Sequence, residues 1–350
     1  MKQLIGIQVL RVIAATAVIF SHALGRANRT FPELQGAVEI PFPNMAVFGH
    51  FGVDLFFVIS GFVMIYVHSD MYGQIGAPYN FLRKRVKRVV PIYWLLTAIA
   101  VLLLLGRPDV FSYRSGIEWD WVIASFLFIP WETSYGLDSP VLGVGWTLNY
   151  EMYFYFLFAV SLFFSRRVGL LAMMIFLVIS AVIGFYLKID EPLVEMLVSP
   201  LLLEFVCGCL LAVAFLKTQG KVFRHGKFLA ACGAVILGVS FFRMPDSHLD
   251  RLIWWGGPSA LLLAGFLGME WSKSRGISAV ARLGDASYSA YLIQVFSLPA
   301  IAMVFKWLNF NEYFGLMGIA LLMVVITWVM SVVFWGLVEK RIGRMLATRA

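Results

Sequence analysis

The length of the apolar runs in this sequence is what most constrains its fold. A bilayer's hydrocarbon core is about 30 Å thick, and about 20 apolar residues in a helix cross it. Runs of that order lie near residues 4–24, 48–68, 89–106, 145–165, 168–187, 199–216, 228–243, 252–270, 286–305 and 313–337. Backbone amides in lipid must be paired within their own segment, so each run is expected to be helical. The chain therefore reads as all-α, a polytopic integral membrane protein with about ten transmembrane helices. Composition agrees: 61% of the 350 residues are hydrophobic and 14% charged, against about 25% charged in soluble domains. The run 121–131 is too short to cross and reads as a re-entrant or interfacial segment, its two tryptophans suited to an interface.

The +8 net charge tempts one toward a nucleic-acid partner, but its distribution has a simpler cause. With the N-terminus inside, 19 of the 28 Lys and Arg fall on cytoplasmic loops: Lys2, the run Arg83 to Arg88, Arg166 and Arg167, four between Lys217 and Lys227, three between Lys273 and Arg282, and four from Lys340 to Arg349. Eight fall outside, namely Arg26, Arg29, Arg107, Arg114, Lys188, Arg243, Arg251 and Lys306, and Arg11 lies within a span. This satisfies the positive-inside rule with both termini cytoplasmic, provided that 121–131 does not cross. No nucleic acid is implied. Linkers rich in Gly, Pro or Ser and internal repeats are both absent, so residues 1–350 read as a single membrane-embedded domain. Lys2 alone is a weak signal-peptide start and Arg11 interrupts the apolar run, so the first helix is expected to be retained. Cys207, Cys209 and Cys232 sit in apolar spans with no metal-ligand spacing, and no metal is expected.

Inside the first span stand Arg11 and His22. Eleven residues at about 100° each leave only about 20° between them, so both lie on one helical stripe about 16 Å apart. An ionisable residue in a span costs several kcal/mol and is by default functional. Each alone also suits a structural role, Arg11 by snorkelling to the cytoplasm and His22 as an outer interfacial residue. The second span, FGHFGVDLFFVISGFVMIY, brings Asp54 near the outer level of His22 and Ser60 near mid-membrane. Asp54 either fixes the tautomer of His22 or binds amides at its own helix start. Arg85 and Arg88 lie three apart ahead of Pro91, on adjacent positions of one helix face, and their guanidinium forks suit phosphate. Topology alone also accounts for a basic loop there. In the fourth span Glu151 stands among Trp146, Tyr150, Tyr153 and Tyr155, and needs a partner, with Arg11 and His22 as candidates. Glu204 and Asp285 repeat the pattern of isolated acids near span ends and read as structural.

The Arg and His separated by ten residues, FGVDLFFVISGF, the RxxR before Pro91, WTLNYEMYFY and GDASYSAYL occur in that order over nearly the whole chain. Together they resemble the acyltransferase 3 family of membrane acyltransferases. LLLEFVCGCLLA and WWGGPSALLLAG are further similar to its branch that modifies bacterial exopolysaccharides, such as the succinoglycan acetyltransferases. The resemblance implies ten transmembrane helices in the bacterial cytoplasmic membrane, acetyl-CoA as donor, and transfer to a hydroxyl of a surface glycan or its lipid-linked precursor. It puts Arg11 and His22 on the family's first-helix motif and Arg85 and Arg88 on its RxxR. Many relatives carry a histidine after the SYSxYL block where this chain has Gln294, so no proton-transfer role is expected there. Some relatives add an extracytoplasmic hydrolase-like domain. Here the sequence ends twelve residues beyond Val338, and acceptor choice is expected to rest with the membrane core.

Acetyl transfer from a thioester to a sugar hydroxyl needs a base, and His22 is the histidine within a span with acids, Asp54 and Glu151, plausibly in reach. It also needs donors toward the oxyanion, for which Arg11, Trp146 and Tyr150 are candidates. Arg85 and Arg88 are expected to hold CoA phosphates at the cytoplasmic mouth. Ser60 is a further candidate contact, but direct transfer to the acceptor is favoured over an acyl-enzyme on Ser60 or His22. The rival is a proton-coupled transporter or flippase of a lipid-linked saccharide, with Arg11, His22, Asp54 and Glu151 as its relay. Missing repeat symmetry between the halves argues against it. The sugar, the acyl length and the oligomeric state stay open.

Overall fold

The computed structural model describes residues 4–34, 45–106, 117–187, 190–272 and 274–348. Of the basic residues weighed for topology, Lys2, Arg107, Arg114, Lys188, Lys273 and Arg349 lie outside the described residues. Those described are helical or in turns, with no strand among them. The principal helices are α1 (Ile5–Thr30), α2 (Phe51–His68), α3 (Ala77–Gly106), α4 (Trp119–Phe126), α5 (Trp146–Ser161), α6 (Arg166–Tyr186), α7 (Leu202–Thr218), α8 (Gly226–Ser240), α9 (Gly257–Gly268), α10 (Arg275–Asp285), α11 (Ser287–Trp307), α12 (Leu316–Phe334) and α13 (Lys340–Thr348).

Each of the ten apolar runs coincides with a helix, and seven helical stretches are long and apolar enough to cross a membrane: Ile5–Thr30, Met45–His68, Ala77–Gly106, Arg166–Tyr186, Pro192–Thr218, Ser287–Trp307 and Leu316–Leu346. The other three, α5, α8 and α9, have 16, 15 and 12 residues. The protein is thus a multi-pass, all-helical membrane protein. One boundary departs from the sequence reading. Helix α3 starts at Ala77 rather than near residue 89, because the basic run continues as helix instead of forming a loop. Its 30 residues make about 45 Å, enough to carry Arg83 to Arg85 beyond a 30 Å core and to leave Lys87 and Arg88 at its edge.

The chain divides into two compact units, neither contiguous: one holds Met1–Ile59 and Leu211–Val338, the other Ser60–Leu210 and Glu339–Ala350. In the first unit, α1 packs against α11 and α12 through a buried cluster that includes Ile19, Ala23, Leu24, Ala27, Leu298, Ala302, Ile319 and Met323. Trp328 on α12 donates to the Thr16 hydroxyl of α1 at 3.0 Å. The start of α2 lies against α1 at van der Waals limits. A Cβ at Gly49 or Gly52 would strike the carbonyls of Ala17 and Ala14, as expected where small residues let membrane helices approach closely. That contact sets His22 and His50 side by side.

In the second unit Gly61 meets the backbone of Phe205 in the same manner, and the rings of Phe154 and Phe205 stack at 4.5 Å. Helix α4 has only eight residues, about 12 Å, and cannot cross a bilayer. Its last carbonyls are capped by α3: Tyr93 donates to Ser125 O at 3.1 Å and Trp94 to Phe126 O at 2.7 Å. These satisfy acceptors that a helix end leaves open.

Candidate active site

In the first unit His22 lies two-thirds of the way along α1, and its Nδ1 is 3.0 Å from Oε1 of Gln294 on α11. The amide group of Gln294 is itself oriented, because its Nε2 donates to the carbonyl of Tyr291 at 2.8 Å. A carbonyl only accepts, so Nε2 must face Tyr291 and Oε1 must face the imidazole. Nδ1 of His22 therefore carries the hydrogen, which leaves the lone pair on Nε2. An uncharged amide thus fixes the tautomer, a task that one of the two sequence readings of Asp54 gave to a carboxylate. The ring of His50 stands beside that of His22, centroids 5.7 Å apart and tilted by 59°.

Asp54 is engaged elsewhere. Its carboxylate is wholly buried and takes both prongs of Arg251, Nε to Oδ1 and Nη2 to Oδ2, each at 2.9 Å. The sequence left two roles open for Asp54, orienting His22 or binding at its own helix start; the structure pairs both of its oxygens with Arg251 within one unit. Arg251 ends a short helical turn, His248–Arg251, and a π-helical stretch follows that places its guanidinium over the ring of Trp255 at 5.3 Å. Arg11 hydrogen-bonds Gln8 three residues back on α1 at 3.3 Å.

In the second unit the partners of Glu151 are neither Arg11 nor His22, the two candidates weighed from sequence. Its Oε1 accepts from Ser60 Oγ of α2 at 3.4 Å and, closely, from the hydroxyl of Tyr155, one turn along α5. Ser60 and Glu151, read separately from sequence, thus meet. Trp146 and Tyr150 lie on the turns before Glu151 and touch edge to face, centroids 5.9 Å apart.

The RxxR pair separates. Three residues on a helix amount to about 300°, a net rotation of about 60°, and here that is enough to give the two arginines different surroundings. Arg88 is exposed and lines a cleft of about 440 Å³ together with Arg83, Lys84, Lys87 and, from beyond α12, Glu339 and residues of α13. Lys87 donates to the carbonyl of Leu346 on α13 at 2.6 Å, so the C-terminal helix forms a wall of this cleft. Arg85 is buried and does not line it. Among the described residues no group of three or more His, Cys, Asp or Glu is placed to hold a metal.

The chain belongs to the acyltransferase 3 family: the model of its acyltransferase domain matches residues 4–336. Over 262 residues it is 36% identical to the exopolysaccharide production protein ExoZ of Rhizobium meliloti (strain 1021), an overlap that covers 73% of this chain and 78% of that relative. No solved structure matches it. The protein is a membrane acyltransferase.

Gln294, His50, Arg251, His68 and Tyr155 were not assigned roles from sequence. For Gln294 a signal was present, since it stands where many relatives carry a histidine. For Arg251 nothing local pointed to Asp54.

Proposed function

We propose that this protein is an O-acetyltransferase of the bacterial cytoplasmic membrane that moves an acetyl group from cytosolic acetyl-CoA to a hydroxyl of a surface polysaccharide or its lipid-linked precursor. The observation that carries the reading is the His22–Gln294 hydrogen bond, because it makes Nδ1 the donor and leaves Nε2 of a membrane histidine as the nitrogen that can take up a proton. The name of the relative ExoZ, an exopolysaccharide production protein, supports a polysaccharide acceptor. Both units act as one membrane domain, with ten crossings and both termini cytoplasmic.

In this scheme Nε2 of His22 removes the proton of the acceptor hydroxyl as its oxygen attacks the thioester carbonyl. The tetrahedral oxyanion collapses, the C–S bond breaks, and CoA leaves as thiolate, which takes the proton from the His22 imidazolium and restores the base. Arg11, on the same stripe of α1, offers positive charge to the oxyanion. Trp146 and Tyr150 are proposed as contacts for a sugar ring. The donor's phosphates fit the cleft of α3 and α13, which gathers Arg83, Lys84, Lys87 and Arg88 against one acid, Glu339. Its volume falls within the range of about 300–1,000 Å³ usual for ligand sites. No nucleophile other than the acceptor is needed, so a ternary complex is expected.

The test is acceptor-dependent release of CoA thiol by the purified protein in detergent with acetyl-CoA and de-acetylated polysaccharide, paired with mass spectrometry of surface polysaccharide from cells with and without the gene. Turnover together with loss of acetyl groups in the deletion strain is expected. Unchanged polysaccharide acetylation in that strain would overturn the assignment.

A further inference from the structure

Arg85 is 8% exposed. Its guanidinium carbon lies 5.5 Å from the ring centre of Phe81 and 5.6 Å from that of Tyr155, and Nη2 is 3.4 Å from Nε2 of His68 on α2. The imidazole is oriented for this contact. Nδ1 of His68 lies 3.0 Å from the carbonyl of Met64, so it must donate there, and Nε2 is left to accept from Arg85. Beyond the Tyr155 ring, its hydroxyl donates to Glu151, which also accepts from Ser60. A cation, an aromatic wall and a carboxylate thus follow one another inside the second unit, with their charges balanced.

One donor in this arrangement is unused. Nε of Arg85 is buried and has no hydrogen-bond partner among the described residues. An unsatisfied buried donor is costly, so a side chain held this firmly with one N–H to spare is shaped to receive an acceptor. A phosphate suits the place poorly: a dianion would enter an aromatic enclosure beside the Glu151 carboxylate, where burying the added charge is unfavourable. A neutral carbonyl oxygen takes one N–H and adds no charge.

We propose that Nε of Arg85 binds a carbonyl oxygen of the uncharged pantetheine arm of the acyl donor, an amide or the thioester itself, while Arg88 and its neighbours hold the phosphates. His68 is a positioning residue that fixes the guanidinium. The inference rests on the acetyl-CoA reading above, and it divides the RxxR motif into two subsites for two chemically different parts of one molecule.

The experiment compares acetyl-CoA with S-acetylpantetheine, which keeps the arm and thioester but lacks the phosphates and adenosine. Arg88→Ala is expected to raise KM for acetyl-CoA about tenfold while leaving KM for S-acetylpantetheine within about twofold. Arg85→Lys is expected to raise KM for both donors by the same factor, about tenfold. Where S-acetylpantetheine is turned over too slowly, its inhibition constant against acetyl-CoA gives the same reading. His68→Ala should follow Arg85→Lys, and His68→Gln, whose Oε1 can accept from Nη2, should recover most of the loss. The proposal is overturned if Arg85→Lys weakens acetyl-CoA alone, which makes it a phosphate ligand, or if it weakens neither donor, which leaves water as the partner of Nε. If Arg85→Lys does not fold, the His68 pair decides, and equal effects of Ala and Gln would sink it. Failure of the wild type with acetyl-CoA itself would instead refute the proposed function, a distinct result.

Discussion

Asp54 and Arg251 are 197 residues apart in sequence and meet as a two-pronged ion pair, both contacts at 2.9 Å, with the carboxylate at zero exposure. The pair ties the start of α2 to the turn ahead of α9 within one unit. Removing one partner of a buried pair typically costs about 3–5 kcal/mol, because the other charge is left uncompensated. Asp54→Asn is therefore expected to lower the midpoint of thermal unfolding in detergent by several degrees, and Asp54→Asn with Arg251→Leu to be no worse than the more harmful single change. Wild-type stability in Asp54→Asn combined with lost turnover would make Asp54 catalytic instead.

His22→Ala is expected to abolish transfer, since general-base catalysis is worth about 10² to 10⁴ in rate. Gln294→Ala should lower kcat about tenfold or more with little change in either KM, because Gln294 orients the base and is not proposed to touch substrate. Steady-state kinetics on folded, monodisperse protein decide this. More than a tenth of wild-type activity in His22→Ala would remove it as the essential base.

The ring of His50 stands beside that of His22, and the Gln294 bond already fixes the tautomer without it. His50 is thus expected to be a wall and not a proton carrier. His50→Phe, which keeps a ring in place, should retain at least about half of kcat, and a hundredfold loss would instead place a second imidazole in the proton path.

Gly61→Ala would drive a methyl group into the backbone carbonyl of Phe205. Backbone cannot swing aside as a side chain does, so a destabilisation of about 1–3 kcal/mol is expected. The readout is a fall in unfolding midpoint with donor KM unchanged in the surviving folded fraction. An unchanged midpoint would show that α2 and α7 separate readily at this point.

What the sequence revealed and what it hid follow from range. Apolar runs of membrane length mark helices because lipid permits nothing else, and all ten runs near residues 4–337 fall on helices. The basic residues at 83–88 were read on a helix face but ahead of the span near 89–106, since charge reads as the end of a run although a helix that leaves the hydrocarbon can carry it. Helix α13 was missed for the same reason, its basic residues having been read as a cytoplasmic tail. The spacing of Arg11 and His22 was legible because both lie on one helix. The partners were not. Gln294 is 272 residues from His22, and nothing local distinguishes Arg251 from the other basic residues beyond the spans. The divergence of Arg85 from Arg88 was available in principle, as a rotation of about 60°, but which side of that rotation faced the interior depended on Phe81, His68 and Tyr155.

The grip of Leu346 on Lys87 carries a practical consequence for anyone preparing this enzyme. That carbonyl lies on α13, which walls the cleft, so a purification handle fused close to this helix would disturb the cleft. Such a handle would leave yield and gel-filtration behaviour intact while altering how donor binding responds to salt, and two laboratories using opposite tag placements would report different donor affinities for the same polypeptide. Protease removal of the handle, or a linker long enough to decouple it, keeps the α13 wall of the cleft undisturbed.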